Sequence, residues 1–214
     1  MKNKTILKEH KWLWPVEDEI GWNHQHNHDK LCDHVLPYVK NNSIMVQAGG
    51  NCGFILNTFV DHFDHVYTFE PDPISFYCLV NNVEASNVTK MQACLGLDRQ
   101  TVKTQQLTRV GRLHDVGGVH VAGEGFVPTI AIDDLNLPDC GLMQLDIEGY
   151  ELNALQGAIR TIMQFKPVLC IEFCESWLNR YAASAVMINK LLDDLEYQQV
   201  DEYGADKIFT HKSH

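Results

Sequence analysis

An open α/β sheet, doubly wound by helices, is the fold class this sequence predicts, and three stretches predict it. Ile44-Met45-Val46-Gln47-Ala48 is a short apolar run that meets Gly49, Gly50 and Gly53 before a helical pattern starts at Phe54. Val66-Tyr67-Thr68-Phe69 is a second run, closing on Glu70-Pro71-Asp72-Pro73. Gly141 to Leu145 leads into a third ending, where Asp146, Glu148 and Gly149 precede another helical pattern. Strand, turn and helix repeated in this order describe a mostly parallel sheet with helices on its faces.

Composition narrows the function. The 214 residues are 45% hydrophobic and 21% charged, as in an ordinary globular domain. A net charge of −11, from 17 basic against 28 acidic side chains, argues against a general nucleic-acid or anionic-membrane binder. No apolar run of signal-peptide length follows Lys2, Lys4 and Lys8, and none approaches the roughly 20 residues of a membrane span, so a cytoplasmic location is expected. The 7 cysteines lack CxxC spacing, and Cys78, Cys94 and Cys170 lie in apolar runs; they read as buried thiols.

Residues 1–39 read as an N-terminal arm and a leading helix, and 40–214 as the domain proper. In the arm, Trp12, Trp14 and Trp22 stand among charges, and His24, His26 and His28 alternate ahead of His34. That spacing suits metal capture in an extended segment; the plainer reading is a solvated arm whose tryptophans dock on the domain. Leu31, Val35, Leu36 and Val39 recur at helical intervals. Glycines after the first strand can bring backbone N–H groups close to a ligand, or serve packing alone. A helix over 54–63 is expected next.

Glu70 lies about 20 residues beyond Gly49, at the carboxyl end of the second strand, where an acid accepts hydrogen bonds from the ribose of a bound nucleoside. Pro71 and Asp72 would turn it toward the crevice; a helix cap or a surface acid is the alternative. Pro73 suits the first turn of a helix carrying Phe76, Leu79, Val80 and Val83. Val88 to Leu95 reads as a third strand and Asp98 to Arg112 as a hairpin. Leu113 to Gly125, rich in Gly and His, reads as a flexible loop that serves as a lid or a plain turn. Val127 to Ile132 resumes as a strand.

Asp146 and Glu148 fall at the same sheet edge as Gly49 and Glu70, and Glu172 ends a further strand, Val168 to Phe173. Acids gathered in a crevice call for a cation, a substrate hydroxyl or an amine. Glu151 reads as a cap on its own helix. A helix over 182–195 and strands at Tyr197 to Tyr203 and Lys207 to Thr210, antiparallel about Gly204, complete the chain.

Val46-Gln47-Ala48-Gly49-Gly50-Asn51-Cys52-Gly53, Phe69-Glu70-Pro71, Thr129-Ile130-Ala131-Ile132-Asp133-Asp134-Leu135, Leu145-Asp146-Ile147-Glu148-Gly149-Tyr150-Glu151 and Lys166-Pro167-Val168-Leu169-Cys170-Ile171-Glu172 together resemble the FkbM family of S-adenosylmethionine-dependent methyltransferases. The resemblance covers roughly residues 40 to 205. It implies a Rossmann-like, mostly parallel seven-stranded sheet ending in an antiparallel β-hairpin. It also implies that Gly49, Gly50 and Gly53 admit the cofactor's amino-acid end, with Gln47 and Asn51 as hydrogen-bonding groups, Glu70, Pro71 and Asp72 at the ribose, and Cys94 and Leu95 at the adenine. Asp146 would lie near the methionine amine or the reacting methyl, and Glu148 and Glu172 would face the acceptor. The family usually has an acid where Gln47 stands and a lysine where Gln144 stands.

The implied acceptor is a hydroxyl of a sugar, glycan or small natural product. Such a hydroxyl needs a general base, for which Asp146, Glu148 and Glu172 are candidates, with His24 or His120 as outsiders. The same three acids offer oxygen ligands for Mg²⁺. Two rival readings stay open: a nicotinamide or flavin oxidoreductase, whose G-x-G-x-x-G turn the glycines here do not match, and a non-catalytic module of the same fold.

Overall fold

Seven strands make the central sheet, and helices cover both of its faces. The computed structural model describes residues 5–7, 12–15, 18, 21, 30–106 and 116–213. The chain begins with β1 (Thr5–Leu7), β2 (Leu13–Pro15), α1 (Leu31–Val35), β3 (Ile44–Ala48), α2 (Phe54–Phe59), β4 (His65–Phe69) and α3 (Pro73–Asn82). Strands β5 (Val88–Met91), β6 (Cys94–Leu95), β7 (Thr101–Gln106), β8 (Val119–Glu124) and β9 (Val127–Ile130) follow. The remainder is β10 (Leu142–Leu145), α4 (Glu151–Gln156), α5 (Ile159–Phe165), β11 (Val168–Glu172), α6 (Glu175–Leu178), α7 (Ala185–Asp194), β12 (Tyr197–Tyr203) and β13 (Asp206–His211).

The central sheet runs β12-β13-β11-β10-β3-β4-β5. Strands β11, β10, β3, β4 and β5 pair in parallel, and β13 lies antiparallel to both β11 and β12. Side chains alternate across a strand, so each face collects its own core. Met45, Val66, Leu142, Val168 and Ile208 pack with Leu31, Val35, Leu56, Phe59 and Leu79 from α1, α2 and α3. On the other face Val46, Met143, Leu169 and Phe209 meet Leu152, Leu155, Ile162, Ile188 and Leu192 from α4, α5 and α7. Each of these side chains that is fully buried contributes roughly 1.5–3 kcal/mol. Leu31 and Val35 thus belong to the same core as the sheet.

A second sheet, ordered β6-β9-β7-β8, stands beside the first. Here the structure departs from the sequence reading in two places. The stretch from Val88 to Leu95 is two strands: β5 ends the central sheet, whereas Cys94 and Leu95 leave it to pair with Thr129 and Ile130. Within the glycine- and histidine-rich stretch, Val119–Glu124 is no loop but a strand paired with β7, with His120 opposite Gln105 and Val121 opposite Thr104. The glycines hide its alternation. The end of the expected hairpin at 107–112, and His24, His26 and His28, lie outside the described residues.

The described part of the arm docks on α3 through Asn82 and Trp14. Asn82 offers its Oδ1 to the Leu13 N–H (2.7 Å) and donates Nδ2 to the Leu13 carbonyl (2.9 Å), as a strand partner would. Trp14 is fully buried against Cys52 and Cys78. Among the described residues no helix is long and apolar enough to cross a membrane.

Asp133 ties the second sheet's exit to α5. Its carboxylate accepts from Arg160 N (2.9 Å), Thr161 N (2.8 Å) and Thr161 Oγ1 (2.6 Å), taking up orphan N–H groups at the helix start. Asp133→Ala is expected to lower stability by about 1–3 kcal/mol, read from chemical denaturation midpoints. An unchanged midpoint would remove the capping role.

Candidate active site

Strand register assembles the site. Lys207, Ile171, Leu145, Ala48, Phe69 and Met91 form one row across the sheet. The next position at the carboxyl ends of the parallel strands brings Glu172, Asp146, Gly49 and Glu70 side by side, and Asp206 pairs directly with Glu172. A cavity of about 300 Å³ opens over this edge. Gly49, Gly50, Asn51, Glu70, Pro71, Cys94, Leu95, Asp146, Glu148 and Glu172 all line it. Its outer wall is Thr104 of β7 with Gly117 to Val121 at the start of β8.

Three residues expected at the ligand sit elsewhere. Gln47 is buried beneath the cavity, donating Nε2 to the Gly49 carbonyl (3.0 Å) and accepting from Thr68 Oγ1. Asp72 caps α3 by accepting from Ile74 N and Ser75 N, both at 2.9 Å. Gly53 precedes α2, and a Cβ there would meet Val83 and Leu79; it is a packing glycine. Gln144 lies opposite Gln47 in the register, so the two departures from the family pattern are neighbours on adjacent strands. An acid and a lysine at these positions would be adjacent opposite charges; two amides keep the pair neutral and leave no lone buried charge.

The glycine turn differs from a phosphate cradle. Gly49 N and Gly50 N both donate to the Phe69 carbonyl (3.1 and 2.9 Å), Gly53 N to the Gly50 carbonyl (2.8 Å), and Asn51 N to Glu70 Oε2 (2.7 Å). Its N–H groups are therefore engaged within the chain, and the expectation that they meet the ligand is corrected. The Gly49 and Gly50 carbonyls each take one internal donor and keep a second lone pair, so the turn suits an ammonium better than a pyrophosphate. This counts against the dinucleotide oxidoreductase.

Glu70 is 5% exposed and accepts from Asn51 N and from Asp72 N (2.8 Å). Burial nevertheless dominates and pushes its carboxyl up to about 8, against the lowering effect of those two bonds. Cys94, raised to about 12 chiefly by burial, stays a neutral thiol in an apolar wall with Leu95. Glu172 is pushed up to about 11 by burial first and then by the charges of Asp146 and Glu148. A carboxyl so raised keeps its proton at neutral pH, which counts against it as a general base. Glu151 Oε1 accepts from Ile147 N (3.0 Å) and Gly149 N (3.2 Å), holding the turn that carries Asp146 and Glu148. That turn includes Glu148 in the left-handed region, φ 57°, a strained conformation for a side chain with a Cβ.

Asp206, Trp177 and Tyr150 line the cavity without having been expected there, and the stretch read as a lid or a plain turn contributes Gly117 to Val121. Asp206 could have been found by pairing the last hairpin back onto Glu172; the others depend on how the second sheet folds over. His120 is in the cavity wall, its ring 3.4 Å from the Gly118 carbonyl, and burial lowers its pKa. Among the described residues no group of three or more His, Cys, Asp or Glu side chains could hold a metal ion. Asp146, Glu148 and Glu172 therefore do not form the Mg²⁺ site that their spacing suggested.

A glycine turn, a buried acid at the second strand end and further acids across one sheet edge define an α/β protein with a cavity at the carboxyl edge of its sheet. Residues 47–199 match the methyltransferase FkbM domain, and the chain belongs to that family. It is 25% identical over 188 residues to Methyltransferase 1 of Beauveria bassiana, covering 74% of this chain and 75% of that protein. The crystal structure of Methyltransferase FkbM from Methylobacillus flagellatus KT superposes with a TM-score of 0.53 at 22% identity. That match covers 79% of this chain and 44% of the other, so the chain spans less than half of that protein's length. Magnesium protoporphyrin IX methyltransferase from Synechocystis PCC 6803, solved with bound SAM, matches at TM-score 0.48 and 11% identity over 92% of this chain and 82% of its own.

Proposed function

We propose that this chain is an S-adenosylmethionine-dependent methyltransferase acting on a hydroxyl of a sugar or small natural product. The observation that supports this reading is a cavity lined by Asp146, Gly49, Glu70 and Cys94, the first three following one another along the carboxyl edge of the sheet. The residues fit the cofactor. Carbonyls of the glycine turn suit its ammonium, the buried Glu70 carboxyl suits ribose hydroxyls, and Cys94 with Leu95 gives an apolar wall for a base. Bound there, the cofactor would supply a methyl group on a positively charged sulfur, an electrophile needing no activation by the protein.

The chain's own work is alignment and proton removal. Tyr150 and the β8 wall exclude water from the acceptor side. Asp146, midway along the acid row, is placed to take the proton of the acceptor hydroxyl, with Glu148 as the second candidate. Asp146→Asn keeps the shape and removes the base. It is expected to lower methyl transfer by about a hundredfold or more while changing cofactor affinity less than tenfold. The check is single-turnover transfer of labelled methyl to a panel of sugars, beside calorimetric cofactor binding. The opposite pattern, weak binding with transfer intact at saturation, would make Asp146 a cofactor ligand only.

A further inference from the structure

Beyond Asp146 the cavity floor is acidic, and two of its carboxyls lack the partners that buried charges need. Asp206 is 5% exposed, lines the cavity, and among the described residues its side chain is hydrogen-bonded by the Cys170 thiol, a weak donor at 4.0 Å. Glu172, its register partner, has a buried Oε2 with no hydrogen-bond partner. One layer deeper on the same face, Gln144 is wholly buried with neither amide atom hydrogen-bonded. Orphaned buried polar groups are rare in folded proteins, and an unpartnered Glu172 oxygen beside the weakly bonded Asp206, above the unpartnered Gln144 amide, marks a place that calls for a polar partner. No lysine or arginine is among the described residues lining this cavity.

The partner that would ionise this pair has to be a donor carrying positive charge. Ionised carboxylates only accept, and an ammonium group brings three N–H donors with a positive charge, where a hydroxyl brings one donor and none. We propose that Glu172 and Asp206 form a subsite for the ammonium group of an amine-bearing acceptor, such as an amino sugar, beside the hydroxyl to be methylated. This rests on the methyltransferase reading and adds the substrate's charge to it. Both carboxyls resist ionisation, by burial first and by the charge of Asp146 next. A cation between them is what reverses that resistance. A divalent metal is the poorer occupant, since the acids are not arranged as a ligand set.

The test uses protein saturated with S-adenosylhomocysteine and labelled with ¹³C at Asp and Glu carboxyls. Ethanolamine, ethylene glycol and glycolate are titrated in turn, being matched small probes with positive, neutral and negative ends. Ethanolamine is expected to move the Asp206 and Glu172 carboxyl signals and to bind at least about tenfold more tightly than ethylene glycol. Asp206→Asn and Glu172→Gln, each loaded with S-adenosylhomocysteine, should lose that preference. Unmoved carboxyls, equal binding of the three probes, or a larger response to Mg²⁺ than to ethanolamine would overturn the subsite. Failure of the wild-type protein to bind S-adenosylhomocysteine is a separate result, which overturns the methyltransferase reading and the subsite with it.

Discussion

Replacing Glu70 by alanine is expected to weaken S-adenosylmethionine binding by about a hundredfold or more, because two charge-assisted hydrogen bonds to ribose contribute roughly 1.5–3 kcal/mol each. The loss also frees Asn51 N and Asp72 N, which Glu70 now holds at 2.7 and 2.8 Å, so the glycine turn loosens with it. A second signature comes from its protonation. With its carboxyl pushed up to about 8, Glu70 is mostly protonated at pH 7. Ribose hydroxyls donate to the ionised form, so binding should release about one proton, and affinity should rise with pH up to about 8. Calorimetry in buffers of different ionisation enthalpy reads this, and Glu70→Gln should abolish it. The sign for stability follows from the same shift. Between the ordinary 4.5 and about 8 the folded chain keeps a proton that the unfolded chain has released. Its contribution therefore makes stability fall as pH rises through that window, by about 1.4 kcal/mol per pH unit, and Glu70→Gln removes this slope. Unchanged affinity in the alanine variant, with no proton released by the wild type, would take Glu70 out of the site.

Gly49→Ala should be severely damaging to both stability and the site. Gly49 has φ 83°, and a Cβ there would lie 1.9 Å from the Asp146 carbonyl oxygen. Neither side can yield, since Asp146 N donates to the Ala48 carbonyl (3.2 Å) in the β3–β10 pairing. A left-handed Cβ and a backbone overlap together are expected to cost more than about 3 kcal/mol and to drive apart the strand ends that carry the site. Gly123→Ala is the control: its φ is 94°, but nothing lies within 4 Å of the new Cβ, so about 1 kcal/mol is expected. Denaturant unfolding and cofactor titration read both. Equal behaviour of the two variants would mean that the close approach at Gly49 has no consequence.

The acid row was legible because each member ends an apolar run. Glu70, Asp146 and Glu172 follow strands whose residues are buried nearly throughout, and parallel strands of similar length align their ends. Asp206 was not legible as a site residue, since it starts a strand and enters only through antiparallel pairing with Glu172. Sequence pattern also failed at Gln92 and Ala93, where the chain leaves β4's side for β9 without a glycine or proline to mark the change. The long helix expected after Gly149 divides at Gly157, whose carbonyl accepts from Asp133 N (2.9 Å) and whose missing side chain admits the Gly96 carbonyl. That is a contact between distant segments and leaves no local signal. Gln47 misled for a different reason: its position beside the glycines suggested a ligand, while strand alternation buries it under them.

The central claim is that the cavity binds a sulfonium nucleoside. Calorimetric titration with S-adenosylmethionine and S-adenosylhomocysteine, with NAD as the control and with Mg²⁺ present and absent, tests it most directly. The account predicts about micromolar binding of both sulfur compounds, independent of Mg²⁺, and none of NAD, whose pyrophosphate finds no free N–H groups in the turn. Binding of NAD, or of neither sulfur compound, would contradict it.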